Sequence, residues 1–123
     1  MNELYNRALA ITEDIELTGY ASVWWVAAAL RTNNWNIFTW KCLELSCGIW
    51  FCAEHSAIAE MLKTDISGIA EIIAVRDDWS IVSPCGRCRE MMMQIHEENK
   101  HTTVYLSWDK IVKLSELIPH YWR

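Results

Sequence analysis

Phe51-Cys52-Ala53-Glu54-His55 and Pro84-Cys85-Gly86-Arg87-Cys88-Arg89-Glu90 bracket the part of the chain, 51–90, that the remaining residues serve. A Cys-x-x-Cys at the start of a helix turns both thiolates to one side, where a single metal can take them. Cys52, opening a second helix, offers a third thiolate. Three protein ligands leave the fourth zinc position to water, which marks a catalytic rather than a structural site. Glu54 lies two residues past the first ligand. It has no use in a structural zinc or a redox cysteine pair, and it stands where an acid/base residue is wanted.

Outward from this stretch, Cys52 to Lys63 reads as a helix with Ala53, Ala57, Ile58, Met61 and Leu62 on its apolar face. Ile69 to Val75 is a β-branched run of the kind found in central strands. Cys85 to about Asn99 predicts the second metal-bearing helix, its Met91, Met92 and Ile95 stripe read as core. Asn2 to Asp14 predicts an amphipathic helix and Gly19-Tyr20-Ala21-Ser22 a loop. Trp24 to Thr32 and Asn36 to about Glu44 form an antiparallel hairpin about the turn residues Asn33-Asn34. Near the C-terminus only Ser107-Trp108-Asp109-Lys110 separates a strand at Thr103 to Leu106 from one at Ile111 to Lys113. A parallel crossover needs a dozen or more residues, so this pair can only be a hairpin. Ser115 to Pro119 then closes the chain.

The 123 residues, 52% hydrophobic and 22% charged, read as a single globular domain over 1–123. No apolar run is long enough for a membrane span, and Met1-Asn2-Glu3-Leu4 lacks a basic leader. A net charge of −5 argues against a nucleic-acid partner and for a small free substrate. Five cysteines, three in metal spacing, point to a reducing cytoplasm rather than a disulfide scaffold.

Taken together, the two half-motifs resemble the zinc signature of the cytidine deaminase superfamily in its three-cysteine form. That form is similar to the small free-nucleoside cytidine deaminases and the blasticidin-S deaminases. The resemblance implies a three-layer α/β/α domain with a five-stranded mixed sheet whose last two strands are antiparallel. It implies Zn²⁺ on Cys52, Cys85 and Cys88, with Glu54 carrying protons from water to a cytosine-type ring and to the departing amine. Trp24-x-Val26-Ala27-Ala28-Ala29-Leu30 is similar to the family's Phe-x-Val-Gly-Ala-Ala-Leu segment, which places Trp24 near the substrate. Cys42-Leu43-Glu44 matches a segment whose Asn and Glu bind sugar hydroxyls: Glu44 fits, and Cys42 departs from the Asn. Ala53, inside the motif, is the remaining substrate-binding candidate.

The substrate implied is cytidine or deoxycytidine, with blasticidin S as the alternative and a non-catalytic nucleoside-binding homologue as a further one. The Cys42 departure, the Arg87-Cys88-Arg89-Glu90 run and the ending Leu117-Ile118-Pro119-His120-Tyr121 lean towards the blasticidin-S branch. The resemblance also implies a homotetramer, with the apolar faces of the metal-bearing helices as candidate interface. His55 stands where related enzymes commonly carry Arg, and it is one candidate, with Arg87 and Arg89, for donating hydrogen bonds to sulfur. Trp35, Trp40 and Trp79 occupy positions where related sequences usually carry turn glycines, and Trp50 is a further candidate. Either these turns have changed type or the rings were placed there by substitution, since a side chain at positive φ costs roughly 1–2 kcal/mol.

Overall fold

Strand alternation sets the layers. In the long central hairpin and its neighbour, successive residues send their side chains to opposite faces of the sheet. Ala27, Ala29, Ile73 and Val75 pack with Leu4, Tyr5 and Ala8 of the N-terminal helix, whereas Leu30 and Ile72 pack with Ala57, Ile58, Met61, Met92 and Met93 from two helices on the other face. The result is the expected three-layer α/β/α arrangement. A computed structural model describes residues 1–48 and 50–122; of Trp24 it describes the main chain.

The described elements are α1 (Asn2–Leu9), β1 (Ile15–Thr18), β2 (Ala21–Thr32), β3 (Ile37–Leu45), β4 (Trp50–Phe51), α2 (Ala53–Leu62), β5 (Ile69–Arg76), β6 (Ile81–Val82), α3 (Gly86–Ile95), a 3₁₀ turn at Glu97–His101, β7 (Thr103–Tyr105), β8 (Ile111–Lys113) and α4 (Leu114–Leu117). The sheet runs β4-β3-β2-β5-β7-β8, with β1 on β2 and β6 on β5. Only the β5–β7 pairing is parallel among those described, so the sheet is mixed, and β7 and β8 form the expected antiparallel pair. The strand count is a correction: eight strands, not five. The three extra ones, β1, β4 and β6, are two to four residues long and lie outside the path predicted from apolar runs. The β1 strand has no buried residue, so no periodicity announces it, and it lies between the expected N-terminal helix and the expected loop at Gly19.

Two helices stop earlier than their sequence pattern. The α1 helix ends at Leu9 rather than Asp14. The α3 helix ends at Ile95 because His96 is extended (φ −161°, ψ 121°) and its ring accepts a hydrogen bond from the Glu98 amide. The following turn delivers Asn99 into the core, where its side chain accepts from the Ile69 amide (2.8 Å) and donates to the Ser67 and Met92 carbonyls. A tertiary demand for that one buried amide overrides the continuing helical pattern.

Both Trp35 and Trp79 sit at φ +71°. Their loops share one geometry: Trp35 N–H donates to Thr32 while Thr32 N–H donates to Asn36, and Trp79 N–H donates to Arg76 while Arg76 N–H donates to Ser80. This is a three-residue hairpin loop whose last residue takes the left-handed conformation, normally a glycine place. These two turns have therefore kept a glycine geometry around a tryptophan. Trp40 and Trp50 are different: they lie within β3 and β4 without positive φ, so the turn-glycine expectation does not hold for them.

Candidate metal and proton-transfer site

The two cysteine segments meet because each ends at a helix start. Cys52 is the N-cap of α2 and Cys85 the N-cap of α3, both in extended conformation, and neither side chain caps its own helix. Their sulfurs are free to turn towards each other. Cys52 Sγ lies 3.4 Å from Cys85 Sγ, and Cys85 Sγ lies 3.4 Å from Cys88 Sγ. Sulfurs around one tetrahedral zinc, each at about 2.3 Å, stand about 3.8 Å apart. These two separations are slightly inside that value, and the Cys52 and Cys88 sulfurs lie within 4.8 Å of each other. Cys88 is buried; Cys85 is exposed.

The three thiols differ in their tendency to ionise. Burial, the Glu54 charge and the Cys52 thiol push the Cys88 thiol far above its ordinary value. Burial and the bond to Cys85 push Cys52 up to about 11. For Cys85 burial also works upwards, but the hydrogen bonds from the Cys88 main chain and from the Cys88 and Cys52 thiols outweigh it and leave the group below its ordinary value. A thiol cluster beside a carboxyl resists full ionisation by itself, and a coordinated divalent ion favours the thiolate form. The two helix N-termini contribute further positive potential. Cys52 and Cys88, with the His55 ring nitrogen, form a donor set that could hold a metal ion, and the Cys85 sulfur lies 3.4 Å from each of the two cysteine sulfurs of that set.

Glu54, in the first turn of α2, is only 6% exposed. Its Oε2 accepts from Cys88 Sγ at 3.5 Å. Burial raises its carboxyl above the usual carboxylate range, against the opposing pull of its hydrogen bonds. The structure thus places a buried carboxyl directly against the sulfur cluster.

His55 enters the site more fully than the sequence reading allowed. A ring nitrogen of His55 and the Cys52 and Cys88 sulfurs lie within 4.8 Å of one another. Its Nδ1 is 3.4 Å from Arg87 Nη2, and its buried Nε2 has no hydrogen-bond partner among the described residues. Burial first, and then the Arg87 charge, lower its pKa, so the ring is neutral near pH 7. The available signal was its spacing: Cys52-x-x-His55 puts both side chains on one side of the helix start. Arg87 also donates to the Trp50 carbonyl (3.3 Å) and so bridges the two cysteine segments.

The expected substrate residues are placed less uniformly. Ala53 is buried at the first position of α2 and packs with Ala28, Cys42 and Ala74, small side chains that let α2 approach the sheet closely. Cys42 is buried in that cluster. Glu44, two residues along the same strand face, lines a separate cavity of about 280 Å³ with Glu16, Thr18, Tyr20, Ser22 and Ser46. The side chain of Trp24 lies outside the described residues. A larger groove of about 1130 Å³ lies against β1, β3 and α2, with Ile15, Leu17, Ile37, Trp40 and Lys41 among its walls and none of the three cysteines.

No family model matches the chain. Blasticidin-S deaminase of Bacillus cereus is 34% identical over 76 residues, a match that covers 54% of this chain and 54% of that protein, so the chain spans about half the length of the curated relative it matches. Among solved structures, cytidine deaminase from Mycobacterium tuberculosis superposes with a TM-score of 0.80 at 20% identity, covering 99% of this chain and 96% of that one. Cytidine deaminase from Mycobacterium leprae gives 0.79 at 20% identity, with 97% of both chains covered. That from Burkholderia pseudomallei gives 0.77 at 23% identity, with 98% of both covered. The chain has the fold of the cytidine deaminase superfamily.

Proposed function

We propose that this protein is a zinc-dependent hydrolase that removes the exocyclic amine from the cytosine ring of a small free nucleoside, releasing ammonia. The observation that carries the reading is the buried Glu54 carboxyl, 3.5 Å from a sulfur of the three-cysteine cluster, at the start of a helix. Cys52, Cys85 and Cys88 would hold a zinc ion, which when bound would supply the Lewis acidity that ionises water near neutral pH. Glu54 does the proton work. Its burial favours the protonated form, so it can accept a proton from water and pass it to the ring nitrogen next to the reacting carbon. As the water oxygen bonds to the ring carbon and the C–N bond breaks, Glu54 would pass the remaining hydroxyl proton to the departing amine, which leaves as ammonia, so one carboxyl serves each transfer. Ala53 and the first turn of α2 form the floor on which the ring lies, with Trp24, Cys42 and Glu44 as the remaining candidates for substrate contact.

Blasticidin S, which bears the same cytosine ring, is the second reading. The sequence match to a blasticidin-S deaminase supports it, as does the position of Cys42, buried beneath Ala53 rather than in the cavity that Glu44 lines. The chain works as a homotetramer in the cytoplasm. Supporting self-association is the apolar groove beside β1 and β3, walled by the exposed side chains of Ile15, Leu17 and Trp40. Among the described residues no helix is long and apolar enough to cross a membrane. Ammonia release by the zinc-loaded chain from cytidine, deoxycytidine and blasticidin S tests the reading. Release from none of the three, by a chain shown to hold zinc, would leave the non-catalytic alternative standing.

A further inference from the structure

Cys85 presents a geometric problem that its own helix does not solve. It is exposed, it caps α3 without a side-chain bond, and the Cys52 sulfur it must meet comes from a distant part of the chain. Something has to fix the strand that leads into it. Arg89, one turn further along α3, uses all three guanidinium nitrogens for this. Its Nε donates to the Pro84 carbonyl at 2.8 Å, the peptide immediately before Cys85. Its Nη2 donates to Ser83 Oγ at 2.9 Å, and its Nη1 donates to the Leu117 carbonyl at 3.2 Å, at the end of α4. The next residue, Glu90, accepts from the Trp122 amide at 2.7 Å. Two consecutive side chains directly after Cys88 therefore fasten the C-terminal segment across the first turn of the metal-bearing helix.

We infer that Arg89 is a positioning residue for the metal centre: it locks residues 83–84 to α3 and to the C-terminal segment, and so holds Cys85 at ligand distance. The inference rests on the metal reading given above. A planar fork with donors in fixed directions suits three acceptors at once, whereas a lysine offers a single flexible point charge. Groups that orient a ligand from behind carry much of a metal site's affinity, commonly about 10- to 100-fold when removed.

The test measures zinc release from the loaded full-length chain to a chromogenic chelator. Arg89→Ala is expected to release zinc faster by about 10- to 100-fold, in line with other ligand-orienting groups. Arg89→Lys, which keeps the charge and the fold, is expected to recover only part of that loss. Arg31→Ala is the control for a purely structural effect, since Arg31 ties β2 to Glu71 and to Glu3 of α1 on the opposite face of the sheet. It is expected to lower the thermal midpoint and yet release zinc at the wild-type rate. Release from both Arg89 variants at the wild-type rate overturns the inference, as does equally fast release from Arg31→Ala. A wild-type chain that takes up no zinc overturns the metal reading itself, and this inference with it.

Discussion

Replacing Trp79 by glycine and, separately, by alanine isolates the cost of its backbone conformation. Both substitutions remove the same ring, which is 68% exposed, so lost contacts cancel in the comparison. They differ at Cβ, which alanine keeps and glycine lacks. At φ +71° a Cβ costs roughly 1–2 kcal/mol, whereas glycine's looser unfolded chain returns roughly 0.4–1 kcal/mol of that gain. Trp79→Gly should therefore be more stable than Trp79→Ala by about 0.5–1 kcal/mol. At about 2.1 cal/mol/K per residue, the unfolding entropy of a chain this size converts that to a difference of roughly 2–4 °C in thermal midpoint. Trp40 supplies the opposite case. It is extended within β3, and there glycine should be less stable than alanine by about 0.5–1 kcal/mol. Scanning calorimetry of the four variants reads a reversal of sign between the two positions. If alanine is the more stable replacement at 79 as well, the left-handed turn is not what residue 79 occupies and the argument fails.

Cys52→Ser and Cys88→Ser should each abolish stoichiometric zinc, whereas His55→Ala, Cys42→Ser and Cys47→Ser should retain it; metal analysis that finds His55→Ala zinc-free would move His55 into the ligand set. Tyr105 donates to Glu71 at 3.2 Å, and burial, followed by the Glu71 charge, raises its phenol above the ordinary value. A raised folded value means that its contribution is fully present below the unfolded pKa of about 10 and fades as pH rises through the folded one. Tyr105→Phe should accordingly flatten the alkaline limb of the stability profile, and an unchanged limb would count against it. Light scattering at micromolar concentration should give a tetramer mass, and a charge placed on the apolar groove by Trp40→Glu should lower it.

The sequence was most legible where one physical requirement acted alone. Cys52 and Cys85 were placed at helix starts by their spacing, and the structure puts both at N-caps. The four residues between Leu106 and Ile111 allowed only a hairpin, and β7 pairs antiparallel with β8. The apolar run at Ile69 to Val75 gave the central strand because burial on both faces leaves no alternation to misread. Legibility failed where position in space, rather than local pattern, decided. The edge strand β1 buries nothing, so its residues carry no signal. The α3 helix ends early because Asn99 must reach three backbone groups in the core, a need that no local preference encodes. His55 was legible only in part: its spacing from Cys52 puts it beside the sulfurs, but the spacing alone does not say whether its ring donates to a sulfur or stands among the metal donors.

In the proposed reaction a buried Glu54 moves the protons of a zinc-dependent deamination. The most direct measurement pairs zinc content with ammonia release for wild type and Glu54→Gln, using cytidine, deoxycytidine and blasticidin S. Both proteins should hold one zinc per chain, wild type should turn over at least one substrate, and the variant should lose activity near the upper end of the range of about 10²–10⁴-fold typical of acid–base residues. A zinc-loaded Glu54→Gln that keeps roughly a tenth of the wild-type rate, well above what removal of such a residue allows, would contradict it.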